Sequence, residues 1–147
     1  MSTYSFLDVN AALVGPGGAI NLGQGAAVSE EGISIEASED IDTMTIGADG
    51  TPMHSLHANK SGTVTVRVLK TSPVNQKLAQ MYAFQTASGA NHGQNTMSVS
   101  NASTQDVITC QQVAFKRAPN ITYAKEGGMN EWVFNAGIID RTLGSVT

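Results

Sequence analysis

Charge is scarce in this sequence. Only 14% of its 147 residues are Asp, Glu, Lys or Arg, where roughly 25% is usual. Positive charge is absent altogether from residues 1–59, which hold Asp8, Glu30, Glu31, Glu36, Glu39, Asp40, Asp42 and Asp49. All eight basic residues lie from Lys60 onward, against Asp106, Glu126, Glu131 and Asp140. Intrinsic disorder is excluded, because disordered chains combine high charge with few β-branched residues. A basic nucleic-acid-binding patch is poorly supported too: Arg67, Lys70, Lys77 and the pair Lys116-Arg117 are few and scattered. Gly, Ser, Thr, Asn and Gln stand where charges usually stand. Such a surface suits a subunit largely covered by other subunits, since charges are depleted from interface cores. The acidic and basic parts either interleave in the fold or form two opposed surfaces, which would favour head-to-tail association.

Other scarcities narrow the field. One cysteine, Cys110, permits no internal disulfide and reads as a small core residue. The opening M-S-T-Y-S-F-L-D-V has neither a basic region nor a long apolar run, so no signal peptide is expected. No stretch approaches the roughly 20 apolar residues of a membrane helix. Synthesis in the cytoplasm, without membrane anchoring, is the expectation. One Trp and three Tyr are few for a carbohydrate-binding β-sandwich that stacks on sugars. The length predicts a single domain spanning residues 1–147.

What is present is organised around residues 63–79, T-V-T-V-R-V-L-K-T-S-P-V-N-Q-K-L-A. Val64, Val66 and Val68 alternate with Thr63, Thr65 and Arg67, the period of a half-buried strand. Ser72 is suited to cap a helix and Pro73 to open one. Leu78, Met81 and Tyr82 then recur at helical spacing, with Phe84 close behind. The spacing predicts one helix, Pro73 to Thr86, with Leu78, Met81 and Tyr82 as its core face. Elsewhere the chain reads as short strands. Tyr4–Val9 and Ala19–Leu22 flank a turn at Gly15-Pro16-Gly17-Gly18. A joint at Gly23–Ala27 precedes strands at Gly32–Ala37 and Ile41–Ile46. A turn cluster occupies Gly47–Pro52, and Met53–Ala58 is extended. Further strands are expected at Thr96–Ser100, Val107–Phe115, Ile121–Ala124 and Asn130–Ile139, the last two joined by a turn at Glu126-Gly127-Gly128. On the last strand Trp132, Phe134, Ala136 and Ile138 share a face. Nine to eleven strands and one helix predict a mainly β fold of the α+β kind: a β-sandwich or small barrel with one flanking helix. The weakly periodic stretch from Gly47 to Gly62 is long enough to suggest a functional loop or one that reaches a neighbour.

No catalytic constellation emerges. His54 and His57 form H-x-x-H, but on a strand residues three apart face opposite ways, and no familiar set of metal ligands accompanies them. His92 sits in a Gly/Asn-rich loop. Gly15-Pro16-Gly17-Gly18 lacks the Lys and Ser/Thr of a phosphate loop. Glu30-Glu31 and Glu39-Asp40 are sequence neighbours that diverge on a strand, unsuited to shared acid/base work. No Ser–His–Asp or Cys–His set can be assembled. The expectation is a structural or assembly protein, not an enzyme, with no cofactor and no metal.

Five stretches carry a resemblance over almost the whole chain: Ser2–Gly18, Asp40–Gly50, His57–Asn75, Met81–Thr96 and the closing segment around Tyr123 and Trp132–Arg141. The sequence resembles the tail tube proteins of contractile-tailed bacteriophages, relatives of type VI secretion tube proteins. The resemblance implies a β-sandwich closing toward a barrel, flanked by one helix. It implies hexameric rings stacked head to tail into the inner tube of a contractile tail, a virion component and channel for DNA ejection. The implied partners are further copies of itself, the tail sheath protein, baseplate and tail terminator proteins, and a tape measure protein followed by viral DNA in the lumen. Stacking contacts are expected in the Gly47–Lys60 loop (Asp49, Gly50, His54, His57, Lys60), the N-terminal segment and the C-terminal tail. Glu30, Glu31, Glu36, Glu39 and Asp42 are candidates for an acidic lumen that repels phosphates. A tube protein of a type VI secretion or related contractile injection system is the nearest alternative, and a carbohydrate-binding β-sandwich a more distant one.

Overall fold

The computed structural model describes residues 9–22, 28–101 and 104–143, and their side chains except at 28–31. Nine strands and one helix follow in the order β1 (Val9–Gly15), β2 (Gly18–Asn21), β3 (Val28–Ala37), β4 (Asp42–Ile46), β5 (Pro52–Leu56), β6 (Gly62–Leu69), α1 (Val74–Thr86), β7 (Asn95–Asn101), β8 (Asp106–Arg117) and β9 (Met129–Thr142). Seven strands form one sheet in the order β2-β1-β7-β8-β9-β6-β3, while among the described residues β4 and β5 pair only with each other. Every pairing is antiparallel.

The core follows from strand periodicity. Val64, Val66 and Val68 of β6 are buried, as are Ala11 and Leu13 of β1, Met97 of β7 and Phe134 of β9. Asn10, just past the expected strand end at Val9, is instead an outward-facing residue within β1, paired with Ser100. The expected strand residues Tyr4–Asp8 and the joint at Gly23–Ala27 lie outside the described residues.

Strand β8 changes face part-way. Cys110 is buried, and so are Val113 and Phe115, which have the opposite parity. The change occurs at Gln111-Gln112, where the β7–β8 register shifts and Gln112 has φ 54°. One extra residue at a bulge turns the following side chains over. Strand β9 makes the matching change opposite it: Trp132, Phe134 and Ala136 are buried, then Ile139. Ile138, expected to join the buried face, is only half-buried.

Two expectations fail between Ala118 and Gly128. No strand forms at Ile121–Ala124, and Glu126-Gly127-Gly128 does not close a hairpin; β8 pairs directly with β9 across a long irregular connection. Pro119 brings no N–H to a ladder, and Ile121 and Tyr123 face solvent without a partner strand.

Helix α1 packs on the buried face of the sheet. Its buried stripe is Val74, Leu78, Met81 and Gln85, with Tyr82 half-buried against the core. Phe84, expected near the stripe, is 51% exposed, and Gln85 is fully buried. The four buried positions keep strict helical spacing, from which Phe84 departs. Pro73, in αR geometry, stands at the helix cap. The Ser72 hydroxyl, one residue earlier, accepts the Val74 N–H at 3.2 Å.

Gln85 and Asn95 exchange two amide hydrogen bonds of 2.7 Å, and Gln85 also donates to the Pro16 carbonyl at 2.8 Å. These bonds tie the helix to β7 and to the β1–β2 turn. Around Phe115, the rings of Tyr82, Trp132 and Phe134 pack with centroids 5.6, 6.0 and 4.8 Å away, within the range of favourable aromatic pairs.

Candidate assembly surfaces

The β4–β5 hairpin stands apart from the main sheet. Its register places Asp42 opposite Leu56, Met44 opposite His54 and Ile46 opposite Pro52, so these six residues share one face. Thr43, Thr45, Met53 and Ser55 share the other. Of the ten strand residues only Ser55 is even partly buried. Leu56 is 82% and Met53 60% exposed, and Met44 and Ile46 also face solvent. A lone two-stranded ribbon is marginal in water, and this one carries apolar side chains that soluble surfaces normally keep scattered.

Local polar bonds shape it. Gly47 donates to the Thr51 carbonyl at 2.8 Å, and Gly50 to the Gly47 carbonyl at 2.9 Å. Gly50 has φ 87°, a conformation that favours glycine at this tip. The Asp49 carboxylate accepts the Thr51 N–H at 3.0 Å, and hydrogen bonds from Thr51 hold its pKa below the ordinary value. His54 Nδ1 lies 2.9 Å from Asp42 on one face. His57 Nε2 lies 2.7 Å from the Thr43 hydroxyl on the other. The two histidines therefore diverge, as strand period requires. Among the described residues no group of three His, Cys, Asp or Glu is placed to hold a metal.

The stacking candidates Asp49, Gly50, His54 and His57 thus lie on or beside one projecting element. Lys60 is at its root, where its carbonyl accepts the Ile139 N–H at 2.9 Å. A cavity of about 550 Å³ opens there among Glu39, Asp40, Ile41, Lys60, Asp140 and Arg141. The lumen candidates are spread along the chain. Glu36 is on β3, Glu39 lines the root cavity, and Asp42 is bound to His54. The side chains of Glu30 and Glu31 lie outside those described.

Two further surfaces bear on assembly. Strands β2 and β3 are the sheet's two edges, and exposed edges invite pairing with another chain. The outward face between them is built of small polar residues: Asn10 opposite Ser100, Ser98 opposite Thr109, and Thr63 between Glu36 and Asn135. Its charges include Arg67, 3.5 Å from Glu131 and hydrogen-bonded to Ser34 at 3.1 Å. The hairpin's independence was not legible in the sequence, since Met44 and Ile46 alternate as they would in a half-buried strand. The signal for Gln85 was present, seven residues beyond Leu78 on the same helical stripe.

Comparison with known proteins agrees with this architecture. The family model for the bacteriophage PhiTE tail tube protein matches residues 1–144. The chain belongs to this tail tube family. Its members are structural tube proteins, not enzymes. A search of curated proteins found none that matches. Among solved structures, the chain is similar to one in the anti-feeding prophage baseplate, 6-fold symmetrised, with a TM-score of 0.60 at 9% identity over 97% of both chains. It is also similar to one in the sheath/tube terminator of PVC, an extracellular contractile injection system, with a TM-score of 0.57 at 11% identity over 97% of this chain and 98% of that one. A third similarity is to a chain of the PVC sheath-tube complex, with a TM-score of 0.55 at 10% identity over 96% of this chain and 92% of that one. At such identities the likeness is one of fold. Among the described residues, no helix is long and apolar enough to cross a membrane.

Proposed function

We propose that this chain forms six-membered rings that stack head to tail into the inner tube of a contractile phage tail, and that DNA leaves the virion through the lumen. The observation that carries the reading is the β4–β5 hairpin in a member of the tail tube family: an exposed ribbon whose apolar face needs a neighbour. The open edges β2 and β3 supply lateral pairing within a ring, and the hairpin supplies contact between rings, with Asp49 meeting a basic residue of the next ring. A heterologous interface repeated around an axis closes a ring, and a second interface lets rings accumulate.

Sheath, baseplate and terminator proteins are the expected partners, consistent with the sheath-tube and terminator assemblies of similar fold. A tape measure protein precedes DNA in the lumen. Glu36, Glu39 and Asp42, with Glu30 and Glu31, supply acidic groups that keep DNA phosphates from sticking. Replacing several of them with Lys slows DNA ejection from virions; unchanged ejection removes them from the lumen. The same fold in extracellular injection systems keeps a second reading open, a tube that delivers protein from a particle without a capsid.

Negative-stain electron microscopy of the purified protein, with size-exclusion chromatography, tests the central claim. Rings with a central hole, or hollow stacked tubes, are expected. A 15.3 kDa monomer that persists at high concentration, even with a tail initiator complex added, overturns it.

A further inference from the structure

The hairpin needs a receptor, and the chain carries a surface suited to it. We propose that the groove between α1 and the 118–128 connection receives the β4–β5 hairpin of a second copy in the adjacent ring. The inference rests on the stacked-ring reading above.

Position is the first argument. The hairpin springs from the Gly62 end of β6, where Ser38 donates to the Ser61 carbonyl at 3.0 Å. The groove lies at the Leu69 end, where Leu69 pairs with Met129 and Lys70 donates to the Gly128 carbonyl at 3.1 Å. At ~3.3 Å per residue, β6 separates the two by about 23 Å. Two different surfaces at opposite ends of one subunit make a heterologous contact that propagates instead of closing on itself.

Chemistry is the second. The groove holds about 330 Å³ and is lined by Ala79, Tyr82, Pro119, Ile121 and Trp132, among others. Trp132 is itself buried, and its indole N–H is already satisfied by Asn75 at 3.1 Å, so it adds no unpaired polar group to the slot. Ile121, on the lining, is 62% exposed, and its chain neighbour two residues on, Tyr123, is 87% exposed. Met44, Ile46 and Leu56 on one face of the hairpin supply the matching apolar surface. The wall is held in place: Lys70 Nζ lies 4.3 Å from the Tyr123 ring centroid and also hydrogen-bonds the Thr122 carbonyl.

Charge is the third. The hairpin tip carries Asp49, and residues 42–56 hold no Lys or Arg. The groove end carries Lys70, Lys116, Arg117 and Lys125 against Glu126 and Glu131, the latter 3.5 Å from Arg67. An acidic ribbon thus meets a basic rim around an apolar slot, which steers the approach and fixes polarity.

Cross-linking tests the assignment in assembled tubes of the full chain. Ile46→Cys and Ile121→Cys are combined, and the tubes are treated with a short bismaleimide; native Cys110 is buried and does not compete. The expected result is a ladder on denaturing gels that continues past the ring size counted by electron microscopy. A ladder that stops at the ring size places the groove against a lateral neighbour and overturns the assignment. Tubes without cross-links overturn the receptor but leave hairpin stacking intact, whereas normal tubes from Leu56→Asp remove the stacking reading itself. A charge exchange needs no cysteine and covers the case in which the double-cysteine chain does not assemble. Asp49→Lys and Lys125→Glu each lower tube yield at least about tenfold, and the double variant restores it; no restoration overturns the proposal.

Discussion

At the residue scale, the buried amide pair governs how the helix is seated. Gln85 and Asn95 are both fully buried, and each satisfies the other's carbonyl and amide. A Cβ on Gly15 would collide with the Asn95 side chain, so the β1–β2 turn lies close against this pair. Gln85→Leu leaves the Asn95 amide and the Pro16 carbonyl without their partner, at a cost of about 1–3 kcal/mol. Asn95→Leu costs a similar amount. The double variant loses less than the two together, with a coupling of about 0.5–3 kcal/mol, because no side-chain amide is left orphaned and only the Pro16 carbonyl remains unpaired. Urea denaturation at concentrations too low for assembly reads all three values. Leu78 is the apolar counterpart, fully buried in the stripe. Leu78→Ala destabilises the subunit by about 2–5 kcal/mol, and we expect it to abolish rings by unfolding the chain. Intact rings with an unchanged denaturation midpoint contradict that expectation.

At the scale of elements, stability is unevenly distributed. Strands β6 and β9 pair along eight positions through the core, while β4–β5 has no strand neighbour among the described residues. Backbone bonds exposed to water on both faces open readily. In unassembled protein, amides of residues 42–56 should exchange fastest among the described strands, and in tubes they should become strongly protected. Hydrogen exchange with mass spectrometry checks both states; equal rates in the two show that the hairpin is not an assembly contact. The sequence made β6, α1 and most of the strands legible because each carries its own period. It could not reveal that β4–β5 leaves the sheet, since Met44 and Ile46 alternate like any half-buried strand and only their neighbours decide burial. It also misled at Ile121 and Tyr123, whose alternation suggested a strand that has no ladder to join. The groove was hidden for a related reason: Trp132, Tyr82 and Pro119 come from three separate elements. A periodicity reading of one segment cannot bring them together.

At the scale of the whole molecule, the uneven charge and the apolar contacts make separable demands on assembly. The charges in residues 1–59 are all acidic and the basic residues all follow, which sets the acidic tip of the hairpin and the basic residues beside the groove toward opposite ends of β6. Attraction between such ends acts before contact and so raises the rate at which subunits or rings add. It is also screened, with a Debye length near 10 Å at 0.1 M salt and about 3 Å at 1 M. Apolar burial by Met44, Ile46 and Leu56 acts after contact, and sodium chloride does not screen it. Raising the salt from about 0.05 to 1 M is therefore expected to slow elongation from preformed tube seeds severalfold, while tubes already formed persist. Light scattering follows the rate, and electron microscopy of the same samples follows survival. An unchanged rate means that the opposed charges do not meet across the stack. Dissolution of formed tubes at high salt means that the charges, and not the apolar face of the hairpin, hold the rings together.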